Sequence, residues 1–169
     1  MKGFDERMER MEKHEYYLNI AESVASRGTC LRRNFGAIIV KDDEIVSTGY
    51  TGSPRGRKNC CDLGYCQRQA LNIPRGERYE LCRSVHAEQN AIISASRKEM
   101  LDSTLYLVGI EQEDLGYVKN AAPCALCKRM ILNAGIKTVI ARTAKGEYQV
   151  INVEDWISND DSLSGEFGY

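Results

Sequence analysis

The chain has 169 residues, 43% of them hydrophobic and 28% charged, which suits one compact domain with a proper core. A net charge of −1 and a pI near 6.2 offer no general attraction for nucleic acid phosphates, arguing against a polynucleotide ligand and for a small anionic one. No apolar run is long enough to cross a bilayer, and the charged start MKGFDERMERMEK holds no signal segment, so the expected setting is the cytoplasm, with the seven cysteines as reduced thiols.

Apolar residues from Met8 to Ala25 recur at helical spacing and predict a helix over 5–27, with Asp5 as N-cap and an end near Gly28. Phe35–Val40 and Glu44–Tyr50 read as strands of a hairpin around the charged turn Lys41-Asp42-Asp43. The stretch from Thr51 to Arg83 is rich in Gly, Arg and Cys without sustained period, too long for an idle connection, and reads as an insert with a site of its own. A helix is predicted from His86 to Met100, then a strand over Thr104–Gly109, a helix over Cys124–Ala134 closing at Gly135, and strands over 137–141 and 147–153. The tail after Trp156 is polar and glycine-rich, the composition of a mobile end.

His86-Ala87-Glu88 and Pro123-Cys124-Ala125-Leu126-Cys127 carry the chemistry. One imidazole and two thiolates suit tetrahedral zinc while leaving its fourth position for water. His86 and Cys124 each open a predicted helix, where free N–H groups and the positive dipole end favour thiolate. Glu88, two residues past His86, points away from the ligand direction within the same pocket and is the candidate general acid and base. This is the pattern of a hydrolytic zinc deaminase; a closed structural zinc knuckle is the competing reading of the cysteines.

Together with His86-Ala-Glu-Gln-Asn-Ala-Ile92, the segments Cys30–Ile39, Gly49–Gly56 and Pro123–Gly135 make the chain resemble the cytidine and deoxycytidylate deaminase superfamily, over roughly residues 15–153, and within it the deoxycytidylate branch. The resemblance implies a three-layer α/β/α domain around a mixed five-stranded sheet, spanning 1–169 with the cysteine-rich insert at 51–83. It also implies conversion of dCMP to dUMP, a homo-oligomer (hexamer or trimer), activation by dCTP and inhibition by dTTP, with Mg2+ accompanying a triphosphate effector. Thr51 stands where many relatives have a sugar-holding asparagine, and Glu111–Ala122 is longer than the usual family connection, a candidate pocket rim or subunit contact.

Cys30, Cys60, Cys66 and Cys82 are the preferred set for a second, structural zinc that would stabilise the insert, with Cys61 the alternative to Cys60 and buried metal-free thiols the alternative to the site itself. Arg27, Arg32, Arg33, Arg55 and Arg57 border the expected active-site loops; Arg27 is the first choice for the substrate phosphate, and Thr51 and Ala87 are further candidate substrate contacts. Ser53, Arg55 and Gly56 form a candidate phosphate or effector loop. Tyr106, inside an apolar strand, reads as core packing rather than a base-stacking platform.

The same zinc chemistry would serve a free cytidine deaminase, a guanine deaminase or a tRNA adenosine deaminase, the last disfavoured by the near-neutral charge. From a different class, a zinc-stabilised module that senses deoxynucleotides without turnover would use the same fold, but an open three-ligand site beside Glu88 argues for an enzyme.

Overall fold

The structure, a computed structural model, describes residues 10–160. Its elements run α1 (Lys13–Ala25), β1 (Arg33–Lys41), β2 (Glu44–Tyr50), α2 (Cys60–Leu63), α3 (Gln67–Ala70), a 3-10 turn (Tyr79–Leu81), α4 (Ala87–Ile93), α5 (Arg97–Met100), β3 (Thr104–Glu111), α6 (Ala125–Ala134), β4 (Thr138–Ala144), β5 (Glu147–Asn152) and α7 (Glu154–Ser158). The strands form one sheet in the order β2-β1-β3-β4-β5. β3 and β4 pair in parallel through the α6 crossover, and the other neighbours are antiparallel, so the sheet is mixed.

Alternation along β1 sorts the core into two layers. Ile38 and Val40 join Tyr17, Leu18 and Ala21 of α1, whereas Ala37 and Ile39 join Ala87 and Ala91 of α4 and Ile131 of α6. The result is the three-layer α/β/α fold with a mixed five-stranded sheet that the resemblance implied. Asp42 and Asp43, both at positive φ, make the tight β1–β2 turn, and the β4–β5 hairpin is also present.

Two predicted helices need correction. The first begins at Lys13, capped by the Glu12 carboxylate accepting from the Glu15 amide at 2.9 Å, and residues 10–12 are not helical; the proposed Asp5 cap lies outside the described residues. The helix expected from His86 to Met100 is two: Ser94 to Ser96 break it, and Ser96 starts a new capping box with Glu99. The insert holds short helices that no periodicity over four residues could reveal. Most of the tail beyond Trp156 also lies outside the described residues, which include no helix long and apolar enough to cross a membrane.

Polar contacts fasten the α1 layer. Arg142 on β4 is buried against α1, paired with Glu15 at 2.6 Å and with Glu22, and bonded to the Asn19 side-chain oxygen at 2.9 Å. Glu22 also accepts the Tyr117 hydroxyl at 2.9 Å.

Tyr106, 3% exposed, sits beside His14, with 2.9 Å between its hydroxyl and the imidazole Nδ1. Burial pushes its phenol up to about 12. The folded state thus holds the proton more tightly than the unfolded chain, whose tyrosines titrate near pH 10; the contribution is full below that value and lost as pH rises through the folded pKa. The unfolding free energy from urea titrations should therefore fall between about pH 10 and 12 by up to about 2–3 kcal/mol from this group, and Tyr106→Phe should flatten the decline. An equal slope in both proteins would remove Tyr106 as its source.

Candidate active site

Residues before α4 place the histidine of the motif. Gly52 and Val85 exchange backbone hydrogen bonds, 3.2 Å and 2.7 Å, fixing the chain just ahead of His86, whose own amide donates to the Gln89 side chain at 3.0 Å. α4 then lies on β2: the Ser47 hydroxyl donates to the Ala91 carbonyl at 2.8 Å, and the Asn90 side-chain Nδ2 donates to the Tyr50 carbonyl at 2.8 Å. The approach is close enough that a Cβ on Gly49 would overlap the Ala87 carbonyl oxygen and the Ala91 nitrogen. Cys124 is the N-cap of α6 and Cys127 lies in its first turn, while Gly135 ends that helix in the left-handed region at φ 79°.

The fold brings His86, Cys124 and Cys127 together across 38 residues of sequence, with both sulfurs 3.4 Å from the imidazole Nδ1. Among the described residues this is the group whose metal-donor atoms all lie within 4.8 Å of one another. One nitrogen and two sulfurs are the donor chemistry of zinc, and Nδ1 is the nitrogen turned to the thiols.

Electrostatics agree with a cation there. The Cys127 thiol, assisted by the His86 ring against the opposing effect of burial, pushes Cys124 down to about 4, while Cys127 is pushed up by that neighbouring sulfur and by burial. The pair readily carries one negative charge and resists a second unless a cation offsets it. At His86 burial works against the charged ring, but Cys124 and Glu88 outweigh it and raise its pKa. Glu88 is buried, and burial raises its carboxyl despite the neighbouring imidazole.

His86, Cys124 and Glu88 open on a cavity of about 490 Å³, with Cys127 buried behind them. Ala87 and Glu88 line it beside His86 and Cys124, and so do Val118 to Pro123, making the end of the long 111–122 stretch a wall of the pocket. Thr51 lines it too, but its hydroxyl oxygen accepts from the Phe35 amide at 3.0 Å, tying it to β1.

The cationic lining is Arg32, Arg33, Arg68, Arg75, Lys119 and Lys128, with Arg33 paired to Glu111 at 2.6 Å. Arg27, Arg55 and Arg57 are exposed and do not line the cavity, nor do Ser53 and Gly56. Sequence reading missed the four cations from Arg68 onward, because they come from a segment without period and from two separate elements. An arginine set among the insert's cysteines was the available signal.

Cys30, Cys66 and Cys82 face the same cavity, and Cys60 is buried nearby with its sulfur 4.0 Å from the Ser84 hydroxyl. Burial, with smaller contributions from the other thiols of this set, raises Cys60 and Cys82. Cys61 is exposed and turned toward Asp62. No three of the four insert-associated sulfurs lie within 4.8 Å of one another.

A His/Cys/Cys donor set at two helix starts, open to a cavity beside a buried carboxyl, defines a metal-binding domain suited to zinc-dependent hydrolytic chemistry. Residues 11–143 match the model of the cytidine and deoxycytidylate deaminase zinc-binding region. The deoxycytidylate deaminase of Mycobacterium phage D29 is 33% identical over 138 residues, covering 79% of this chain and 96% of that protein. That of Schizosaccharomyces pombe is 30% identical over 129 residues, 76% of this chain but 36% of its own length, so the chain spans about a third of the yeast protein. The solved dCMP deaminase of cyanophage S-TIM5 in complex with dCMP and dUMP matches with a TM-score of 0.53 at 28% identity, over 79% of this chain and 84% of that one. The chain belongs to the cytidine and deoxycytidylate deaminase family.

Proposed function

We propose that the protein, acting as one domain, is a zinc-dependent dCMP deaminase that converts dCMP and water to dUMP and ammonia. The observation that carries this is the placement of His86, Cys124 and buried Glu88, with Cys127 directly behind them, at a cavity lined by six cationic side chains, in a chain whose net charge is only −1. Deoxycytidylate deaminases among the relatives support the same reading.

His86, Cys124 and Cys127 would hold the zinc ion, which lowers the pKa of water from about 15.7 to about 7 and so supplies hydroxide at neutral pH. Glu88 takes one proton of the water and delivers it to N3 of the cytosine ring as the oxygen bonds to C4. It then carries the second proton from that oxygen to the 4-amino nitrogen, which leaves as ammonia when the C4–N bond breaks and the C4 carbonyl forms. Burial suits the first part of the role, because a carboxylate whose pKa is raised is a stronger base toward the water proton than an exposed one. Ala87 borders the reacting base, and Thr51 supports the sugar side of the pocket through its tie to β1. The cationic lining takes the 5′-phosphate in place of Arg27.

Cys30, Cys60, Cys66 and Cys82 form a candidate second zinc site; the exposed side chain of Cys61 favours Cys60 as the fourth ligand. Thiols that raise one another's pKa are relieved by a divalent cation, and metal binding would draw the sulfurs together. Arg27, Ser53, Arg55 and Gly56, outside the cavity, are left as candidates for an effector contact, with dCTP the activator, dTTP the inhibitor and Mg2+ their companion. The expected assembly is a hexamer or trimer in the cytoplasm.

Ammonia release from zinc-loaded protein, measured with dCMP, dCTP, deoxycytidine and guanine, with and without dCTP or dTTP, tests this reading. Charged hydrogen bonds contribute about 1.5–3 kcal/mol each, so kcat/KM for dCMP should exceed that for deoxycytidine by about a hundredfold. Equal turnover of the nucleoside would reassign the cations, and no turnover of any substrate would make the protein a sensing module.

A further inference from the structure

The insert reaches the metal centre through an aromatic side chain. Tyr79, at the start of the 3-10 turn, meets the His86 ring edge-on, with centroids 5.4 Å apart and planes at 87°. Arg68 lies over the Tyr79 ring, its guanidinium carbon 4.5 Å from the centroid. Arg68 is only 4% exposed, and its Nη2 donates to the carbonyls of Pro74 at 2.9 Å and Glu77 at 2.5 Å. Those bonds lash the loop 74–77 onto α3 and fix the plane of the guanidinium. Arg78, just before Tyr79, is held at φ 51°, a backbone conformation that persists only where the surroundings determine it.

We infer that Arg68 and Tyr79 are positioning residues for His86, so that the cysteine-rich insert acts as a brace for the catalytic metal ligand. A ligating imidazole must keep its Nδ1 aimed between the two sulfurs; a ring free to rotate loses that aim. Gly52 and Val85 fix the backbone before His86, whereas Tyr79 fixes the side chain, and the guanidinium over Tyr79 holds that ring by cation–π attraction. The inference rests on the reading of His86, Cys124 and Cys127 as a zinc site.

The chain has two histidines, His14 and His86, so the His86 imidazole can be followed on its own by proton–nitrogen NMR, with His14→Gln for assignment. Zinc is titrated against a competing chelator and binding is read at that ring, which separates this centre from any metal on the insert thiols. Tyr79→Leu should weaken zinc at His86 by about tenfold to a hundredfold, the range for outer partners of metal ligands, and Tyr79→Phe should stay within about threefold of wild type. Wild-type affinity in Tyr79→Leu, or equal losses in the leucine and phenylalanine variants, overturns the brace. Should Tyr79→Leu fail to fold, Arg68→Met decides: unchanged affinity there overturns it as well. A wild-type His86 ring indifferent to zinc would instead refute the metal site itself.

Discussion

Glu88→Gln is expected to lower kcat for dCMP by about 10²–10⁴-fold while zinc content and dCMP affinity stay close to wild type. The change keeps the volume of the side chain in its buried niche but removes its ability to accept and return a proton. It introduces no new charge beside His86, Cys124 and Cys127, so the donor set is left intact. Steady-state rates, zinc analysis and equilibrium dialysis of dCMP on the same preparation separate the possibilities. Turnover within about threefold of wild type would strip Glu88 of its assigned role; loss of zinc together with activity would mark it as a support for the metal centre.

Gly49→Val carries the largest expected structural effect. A Cβ at this position meets backbone of α4, at Ala87, Asn90 and Ala91, rather than a flexible side chain that could step aside. α4 must therefore lift from β2, straining the Ser47 and Asn90 hydrogen bonds. Overpacking of this kind costs about 1–3 kcal/mol or more, which in a chain of this size lowers Tm by roughly 2–12 °C. Because α4 carries Glu88 and directly follows His86, zinc affinity should fall along with stability. Ile45→Ala, at an exposed position of the same strand, is the control and should change stability by about 0.5 kcal/mol or less. A Gly49→Val protein as stable as that control would show that the two elements can separate without cost.

The strands were legible because their apolar runs are long relative to the turns between them: β1 extends only slightly beyond the expected segment, β2 coincides with it, and Gly135 ends α6 as anticipated. The metal donors were legible because zinc chemistry restricts both residue type and spacing. The phosphate side was not. Arg27 stands next to a glycine loop in sequence, yet its side chain is exposed away from the cavity, and sequence proximity carries no information about direction. Arg68 enters the cavity from a four-residue helix, too short to leave a periodic trace, and Lys119 and Lys128 line it from the two flanks of the Cys124–Cys127 motif. The break at Ser94 to Ser96 was hidden because Ala91, Ile92, Ala95 and Met100 keep a plausible helical rhythm across it.

The Arg142 cluster has a bearing on the pocket that its location behind the sheet conceals. Tyr117 is tethered to Glu22 of α1, and the next residue, Val118, bonds back to β3 through its amide and forms cavity wall. The wall is thus moored from the opposite side of the molecule, like a tent panel pegged beyond the ridge. Slackening α1 would let that panel drift and alter the fit of a nucleotide, although no group of the helix touches the cavity.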